Sequence, residues 1–289
     1  MWKDTSGKTW FKGNLHTHTT RSDGRKSPEE SIALYRSRGY DFLALTDHWK
    51  PAPTYTDDGM LILSGAEYDF GKDVRKGVFH IVGVGAYTDP QIVRTDSPQT
   101  AIDKIRACGG LAILAHPVWS MNTPEQIRSL DRFDATEIFN SLSDLPHNCR
   151  PYSGCIADLV AAEGRYLPLI ATDDTHFYDE ADTCRSYIMV QAEENTPAAL
   201  FSAIRRGDFY ATQGPHISVT RTERGIRVES SPVSAIVFFT DTVWVGRRAV
   251  VGEDVTEAQY DFAPGDTFVR VEATDADGKT AWSCYFTRL

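Results

Sequence analysis

Two short segments near the N-terminus contain residue types that bind metals. His16 and His18 form a His-x-His pattern that is followed by Asp23, and His48 ends a second segment, Thr46-Asp47-His48. On an extended segment, residues i and i+2 project from the same face, so both imidazoles can reach one ion. Imidazole suits zinc, copper, iron and nickel, and carboxylates widen the choice to manganese and magnesium. The pattern indicates a metal site, although two such histidines can also be ordinary surface or core residues.

More residues of the same types follow apolar runs further along the chain. They are Glu67, His80, His116, Asp174 and His176. Taken singly, each has an ordinary reading, since Asp23 could be a turn residue, Asp174 a helix cap and Glu67 an ion-pair partner. The chain has 8 histidines, and six lie at or beside the ends of predicted strands. The set as a whole therefore predicts metal binding, whereas His147 and His216 fall outside the pattern and receive no role.

The elements that position these residues alternate between strands and helices. Apolar runs predict strands at residues 14–18, 42–45, 61–63, 78–84, 111–115, 135–139 and 167–171. Ser27, Ser97, Thr123 and Thr196 each precede a proline, which is typical of a helix N-cap. Gly39, Gly109 and Gly164 mark helix ends. Such alternation indicates parallel β/α units whose chemistry gathers at the carboxyl ends of the strands, here about seven.

The pattern changes after residue 212. Short alternating segments at 217–219, 226–228, 235–239, 268–273 and 282–286 are separated by turn signals, with no helical periodicity. We therefore predict two domains, an α/β domain at 1–212 and a small antiparallel β domain at 213–289.

Composition excludes several classes of protein. The formal charge of −10 argues against binding to a nucleic-acid polymer or an anionic membrane surface. No apolar run approaches the roughly 20 residues that span a bilayer, and no secretory signal is visible. The 5 cysteines are scattered and indicate no disulfide framework. A cytoplasmic protein of unspecified oligomeric state is expected.

The ordered series of ligand types resembles the PHP (polymerase and histidinol phosphatase) superfamily of metal-dependent hydrolases over roughly residues 10–210. The resemblance implies a distorted (β/α)7 barrel. It also implies three metal sites, one held by His16, His18, Glu67 and Asp174, a second by Glu67, His80 and His116, and a third by Asp23, His48 and His176. Some members have His where this chain has Asp23, so the third site is expected to prefer a different metal or to bind it more weakly.

The C-terminal part is similar to the branch of this superfamily that includes carbaryl hydrolases. The similarity rests on residues 207–212, Gly-Asp-Phe-Tyr-Ala-Thr, and on Ala281-Trp282-Ser283. It leaves open whether this part is a lid, an oligomer interface or a sugar-binding module.

The function predicted first is hydrolysis of a small phosphate ester by a metal-bound hydroxide, with two to three divalent ions of Mn, Fe or Zn. Glu67 and Asp174 are the predicted catalytic carboxylates, Asp173 could orient a ligand, and Arg21 is the cation best placed for phosphate. Further candidate cations are Lys72, Arg75, Lys76 and Arg185.

Two alternatives remain open. A carboxylic or carbamate ester hydrolase would use the same metals with a more apolar pocket, which Trp49, Trp119 and Phe177 could line. A non-catalytic, metal-stabilised binding protein needs fewer ligands than this chain offers.

Overall fold

The structure is a computed structural model that describes residues 2–3, 7–51, 53–178, 180–244 and 246–288. Within these residues the strands are β1 (Trp2–Lys3), β2 (Thr9–Asn14), β3 (Phe42–Ala44), β4 (Tyr55–Asp57), β5 (Met60–Leu63), β6 (Gly65–Phe70), β7 (Phe79–Val84), β8 (Leu111–Leu114), β9 (Ala135–Asn140), β10 (Leu169–Thr172), β11 (Tyr187–Gln191), β12 (Phe209–Thr212), β13 (Ile217–Arg221), β14 (Gly225–Thr240), β15 (Ala249–Asp261), β16 (Phe268–Thr274), β17 (Thr280–Ser283) and β18 (Phe286–Thr287). The helices are α1 (Pro28–Ser37), α2 (Pro98–Ala107), α3 (Pro124–Arg128), α4 (Gly154–Ala162) and α5 (Pro197–Arg206), and short 3-10 turns cover Leu142–Asp144 and Glu180–Asp182.

These strands form two sheets. The larger has 13 strands, in the order β13-β14-β16-β17-β12-β11-β2-β3-β5-β4, with β1, β15 and β18 pairing at its sides. The smaller has 5 strands, in the order β10-β9-β8-β7-β6. One hydrophobic cluster contains Phe42 and Leu63 from the larger sheet together with Val82 and Ile113 from the smaller. The two sheets therefore enclose a shared core.

The mixed α/β class is confirmed, but the described strands do not form a closed (β/α)7 barrel. The pairs β2/β3, β3/β5, β8/β9 and β9/β10 are parallel, as predicted. By contrast, β6/β7 and β7/β8 are antiparallel. Only eight residues connect β6 to β7, which is too few for the crossover that parallel neighbours need. This hairpin interrupts the strand-helix alternation on which the barrel prediction depended.

The predicted helix starts are confirmed. Ser27 and Thr123 each complete a capping box, with Glu30 and Gln126 respectively, and Ser97 and Thr196 each accept a backbone N–H at the start of their helices. A proline at the first helical turn follows every one of these caps. Because that turn leaves backbone N–H groups unpaired, the cap fixes where each helix begins.

The C-terminal part continues the larger sheet. Strand β17 pairs with β12 at Ala211 and Trp282, so hydrogen bonds cross the boundary that we place at residue 212. Its strands pack around a separate core cluster that includes Ile226, Phe238 and Val271. The division into 1–212 and 213–289 stays a prediction.

No helix among the described residues is both long enough and apolar enough to cross a membrane.

Candidate metal centre

Nine predicted ligands come together at one end of the two sheets. From the larger sheet, His16, His18 and Asp23 follow β2, and His48 follows β3. From the smaller sheet, Glu67 lies within β6, His80 within β7, His116 follows β8, and Asp174 and His176 follow β10. Strand β2, which corresponds to the strand predicted at residues 14–18, ends at Asn14, so His16 and His18 lie just beyond it. The structure groups these side chains into three sets of potential ligand atoms.

The first set is His16, His18, Glu67 and Asp174, all at most 4% exposed. The Nε2 atoms of His16 and His18 are 3.2 Å apart. Glu67 Oε2 lies 3.3 Å from His16 Nε2 and 3.1 Å from His18 Nε2. Asp174 Oδ1 lies 3.2 Å and 3.1 Å from the same two atoms. All four ligand atoms lie within 4.8 Å of one another, and imidazole nitrogens and carboxylate oxygens gathered this closely are typical ligands of Zn²⁺. These four atoms fit a divalent cation.

Glu67 links the first set to the second. Its Oε1 lies 2.7 Å from His80 Nδ1 and 3.3 Å from His116 Nε2, while Oε2 faces the first set. The two oxygens of one buried carboxylate thus point into two neighbouring groups of imidazoles. Bridging carboxylates of this kind hold paired metal ions in many hydrolases. His80 turns inward from its strand, as its predicted role requires.

The third set is wider and more exposed. Asp23 Oδ2 lies 3.4 Å from His176 Nε2 and 3.7 Å from His48 Nε2, and the Asp23 side chain is 48% exposed. His18 also belongs to this set, because its Nδ1 lies 3.6 Å from Asp23 Oδ1. His48 Nδ1 is buried and lacks hydrogen-bond geometry with any described neighbour. This third set can hold a cation, but it would enclose the cation less tightly than the first set does.

The carboxylates and imidazoles of the site shift one another's pKa values. Burial alone would lower the pKa of His16, but Asp174, Glu67 and Glu137 raise it well above its usual value. Burial likewise opposes the effect of Asp174 and Glu67 on His18, whose pKa rises to about 9. Burial would raise the pKa of Glu67, but His16 and His80 hold it well below its usual range. Protons on the imidazoles therefore balance the acids, and a bound cation must displace them.

Glu137 supports the site and was missed in the sequence. It lies on β9, is 1% exposed, and its Oε1 accepts from His16 Nδ1 at 2.8 Å and from the Thr172 hydroxyl at 2.7 Å. Its Oε2 accepts from the backbone N–H of His116 and from Asn140, each at 2.8 Å. A carboxylate on the far nitrogen of a ligating histidine fixes its tautomer and orientation. The available signal was a lone glutamate inside an apolar strand.

Two further aspartates hold the loops that carry ligands. Asp173 is fully buried and accepts six hydrogen bonds, three of them from the backbone N–H groups of residues 184–186. Burial outweighs these donors and raises its pKa to about 6. Asp47 accepts from the backbone and hydroxyl groups of Thr19 and Ser22, which fixes the turn that leads to Asp23. Asp173 thus fixes the chain directly before Asp174, and its predicted role in orienting a ligand stays a prediction.

A cavity of about 250 Å³ opens above the ligands. Besides seven of the predicted ligands, its lining includes Trp119, Leu142, Ser143, His147, Asn148 and Tyr178. Trp119 packs edge-on against His116 at 4.9 Å between ring centroids, and Tyr178 stacks on His176 at 5.2 Å. Sequence reasoning gave His147 no role, and nothing in its sequence surroundings indicates one.

Other predicted contributors lie elsewhere. The Arg21 guanidinium donates to the carbonyl of Pro51 at 3.1 Å, and Arg185 donates to Asp144 at 3.0 Å. Lys72, Arg75 and Lys76 are exposed. Trp49 donates its indole N–H to Asp69, and Phe177 is buried in a hydrophobic cluster. None of these residues is among the described residues that line the cavity.

Known proteins resemble this chain over different lengths. No family model matches the chain. An uncharacterized protein of Methanocaldococcus jannaschii is 29% identical over 148 residues, which cover 45% of this chain and 82% of that protein. A lesion-specific endonuclease from Pyrococcus furiosus gives a TM-score of 0.45 at 14% identity, covering 69% of this chain and 56% of that one.

A fuller structural match covers 100% of this chain and 97% of the other, with a TM-score of 0.56 and 17% identity. The matched structure is a two-domain protein from Bacteroides vulgatus that contains a predicted PHP-like metal-dependent phosphoesterase. The chain described here therefore has the fold of that PHP-like, two-domain protein.

Proposed function

We propose that this protein is a metal-dependent phosphoesterase that hydrolyses a small phosphate ester. The observation that carries the proposal is the division of Glu67 between two sets of ligand atoms, with five distances of 3.1–3.3 Å in the first set. The structural match to a protein with a predicted PHP-like phosphoesterase supports the same reaction class. We propose two to three divalent ions, of Mn, Fe or Zn, since imidazole and carboxylate together suit these metals.

The side chains have distinct roles in this proposal. Divalent ions held here would supply Lewis acidity, which activates water and neutralises charge on the ester oxygens. The Glu67 carboxylate belongs to two ligand sets, with one oxygen in each, and therefore fixes the distance between them. Glu137 keeps His16 in the tautomer whose Nε2 faces the first set. Asp174, beside both sets, is the carboxylate placed to accept the proton of the attacking water.

The size of the cavity favours a small substrate. Its volume of about 250 Å³ lies just below the 300–1,000 Å³ typical of ligand pockets. We therefore propose a small-molecule ester rather than a nucleic-acid polymer or a membrane lipid. The net charge of −10 agrees, because polymer phosphates would be repelled by the rest of the surface. A cytoplasmic location is part of the same proposal.

A second candidate, hydrolysis of a carboxylic or carbamate ester, has a specific observation in its favour. Among the described residues that line the cavity there is no lysine or arginine, whereas Trp119, Leu142 and Tyr178 provide apolar surface. A phosphate dianion usually meets such cations. A phosphoesterase with this cavity would therefore depend on the ions held by the three ligand sets to neutralise the phosphate charge.

Two experiments test the proposal. Metal analysis of the purified protein should find two to three equivalents, and careful reconstitution that leaves no metal bound would exclude a metallohydrolase. A substrate screen should then compare p-nitrophenyl phosphate and sugar phosphates with p-nitrophenyl acetate and aryl carbamates.

Glu67→Gln should abolish the activity found in that screen, while Glu125→Gln, an exposed glutamate on α3, serves as the matched control and should keep it. Activity on acyl esters alone would establish the second candidate instead.

A further inference from the structure

We propose that His147 donates a proton to the leaving oxygen of the substrate, an inference that rests on the proposed esterase function. The side chain lines the cavity above the metal ligands. It belongs to none of the three ligand sets. It lies in the loop that follows β9, a loop that contributes no residue to those sets.

His147 differs from the other seven histidines in its hydrogen-bond and ion-pair partners. Six histidines form the ligand sets, and His216 is hydrogen-bonded to the Tyr210 hydroxyl at 2.7 Å. The His147 imidazole has no hydrogen-bond or ion-pair partner among the described residues, and its side chain is exposed. An imidazole at a cavity wall with its ring nitrogens unengaged is available to a substrate.

The loop that carries His147 is held in place by its neighbour. The Asn148 side chain accepts from Trp119 Nε1 at 3.2 Å and donates to the carbonyl of Leu142 at 3.0 Å. The backbone N–H of Leu142 donates to the carbonyl of Asp173 at 3.0 Å. The loop that carries His147 is thus tied to the segment that carries Asp174, which keeps this loop at the wall of the cavity.

The charges of the cavity favour the same role. Among the described lining residues, His147 is the one side chain outside the ligand sets that can carry a positive charge. With no lysine or arginine among these residues, it is the side chain that can give up both a proton and a positive charge as negative charge builds on the leaving oxygen. A histidine is the commonest general acid because its pKa is close to neutral pH.

The proposed step balances. The water oxygen forms a bond to phosphorus, and the bond between phosphorus and the ester oxygen breaks, with its electron pair passing to that oxygen. The leaving oxygen takes the proton of the protonated His147 ring and departs as an alcohol. The proton lost by the attacking water passes through Asp174 and solvent and returns to His147 for the next turnover.

The test compares substrates by leaving group. An alkyl phosphate needs a proton on its leaving oxygen, whereas p-nitrophenolate departs without one. We expect His147→Ala to lower kcat/KM for the alkyl ester by about 100-fold or more, the usual scale of general acid catalysis. The loss for p-nitrophenyl phosphate should stay within a few-fold. If the enzyme cleaves acyl esters, the corresponding alkyl and p-nitrophenyl acyl esters replace these substrates.

Controls separate the possible outcomes. His216→Gln replaces a histidine remote from the cavity and should leave both substrates unaffected. Added imidazole should restore part of the alkyl-ester activity of His147→Ala, and the metal content of that variant should equal that of the wild type. An equal loss on both substrates, no loss, or a lower metal content would overturn the role given to His147. Wild-type protein that cleaves no ester would instead overturn the proposed function.

Discussion

Replacing Glu137 by Gln tests whether the residues behind the ligands set the metal affinity. The Glu137 carboxylate accepts four hydrogen bonds, two on each oxygen. Burial would raise its pKa, but His16 lowers it below the usual value, so the group is ionised at neutral pH. Glutamine has nearly the same shape, but only its amide oxygen can accept hydrogen bonds, whereas its amide nitrogen donates them.

The structure determines which side the new amide nitrogen takes. The backbone N–H of His116 and the side-chain N–H of Asn140 can only donate, so the remaining oxygen must face them. The amide N–H₂ then faces His16 Nδ1, which has to become an acceptor. The ring proton moves to Nε2, where it points at the atoms of the first ligand set. We expect first-site affinity to fall 10–100-fold, or about 1.4–2.7 kcal/mol.

The assay is a competition titration of Zn²⁺ or Mn²⁺ against a chromophoric chelator, with chemical unfolding measured in parallel. Asp134→Asn is the matched control. Asp134 is another buried carboxylate and directly precedes β9, the strand that carries Glu137. It accepts hydrogen bonds from the Arg205 side chain and from the backbone N–H of Ala112. Both variants should lose stability, but only Glu137→Gln should lose metal affinity. Equal first-site affinity in wild type and Glu137→Gln would refute the tautomer argument.

Three further predictions concern stability and protons. Asp173→Asn should lower the free energy of unfolding by about 2–3 kcal/mol, measured by urea unfolding, because its amide N–H₂ would face buried donors. Arg270→Ala should cost on the order of 3 kcal/mol in the same measurement, since Asp158, which Arg270 Nε contacts at 2.6 Å, loses its charged partner and keeps only the Tyr285 hydroxyl among the described residues. Arg270→Lys, which keeps the positive charge, should lose less stability than Arg270→Ala. Metal binding at pH 7.5 should release at least one proton, because the metal-free pKa of His18 is about 9 and a ligating imidazole must be neutral. Affinity should therefore fall as the pH falls. Titration calorimetry in buffers of different ionisation enthalpy measures this release, and a heat independent of the buffer would contradict it.

Features of the fold and the site can be predicted from the sequence where they depend on residue types within a short segment. A helix cap satisfies backbone groups within a few residues, so Ser27 and Thr123 could be identified locally. Ligand residues at strand ends were equally recognisable. The direction of a strand is different, because it depends on partners far along the chain. The apolar run at β7 has the same pattern in parallel and antiparallel pairing, so the sequence predicts a barrel where the structure has a mixed five-stranded sheet.

Strand β15 was missed for a related physical reason. Most of its side chains are exposed, so the alternation of apolar and polar residues that marks a half-buried strand is absent. It is held by backbone pairing with β14, which is a single 16-residue strand rather than the two short segments expected. The same limit applies to side-chain direction at the site. Arg21 is close to His18 in sequence, but its guanidinium points to the carbonyl of Pro51 and not into the cavity.

The position of the ligands relative to the two sheets gives the centre a structural role as well. Beyond the shared core, isolated bridges join the sheets at this end, between Thr17 and Thr175 and between His48 and Glu67. The larger sheet supplies His16 and His18 to the first ligand set, and the smaller supplies its carboxylates. Any cation in that set must therefore bind both sheets at once. Since a ligand that binds only the folded state stabilises it, a cation bound in that set would hold the two sheets together at the edge where chemistry is proposed.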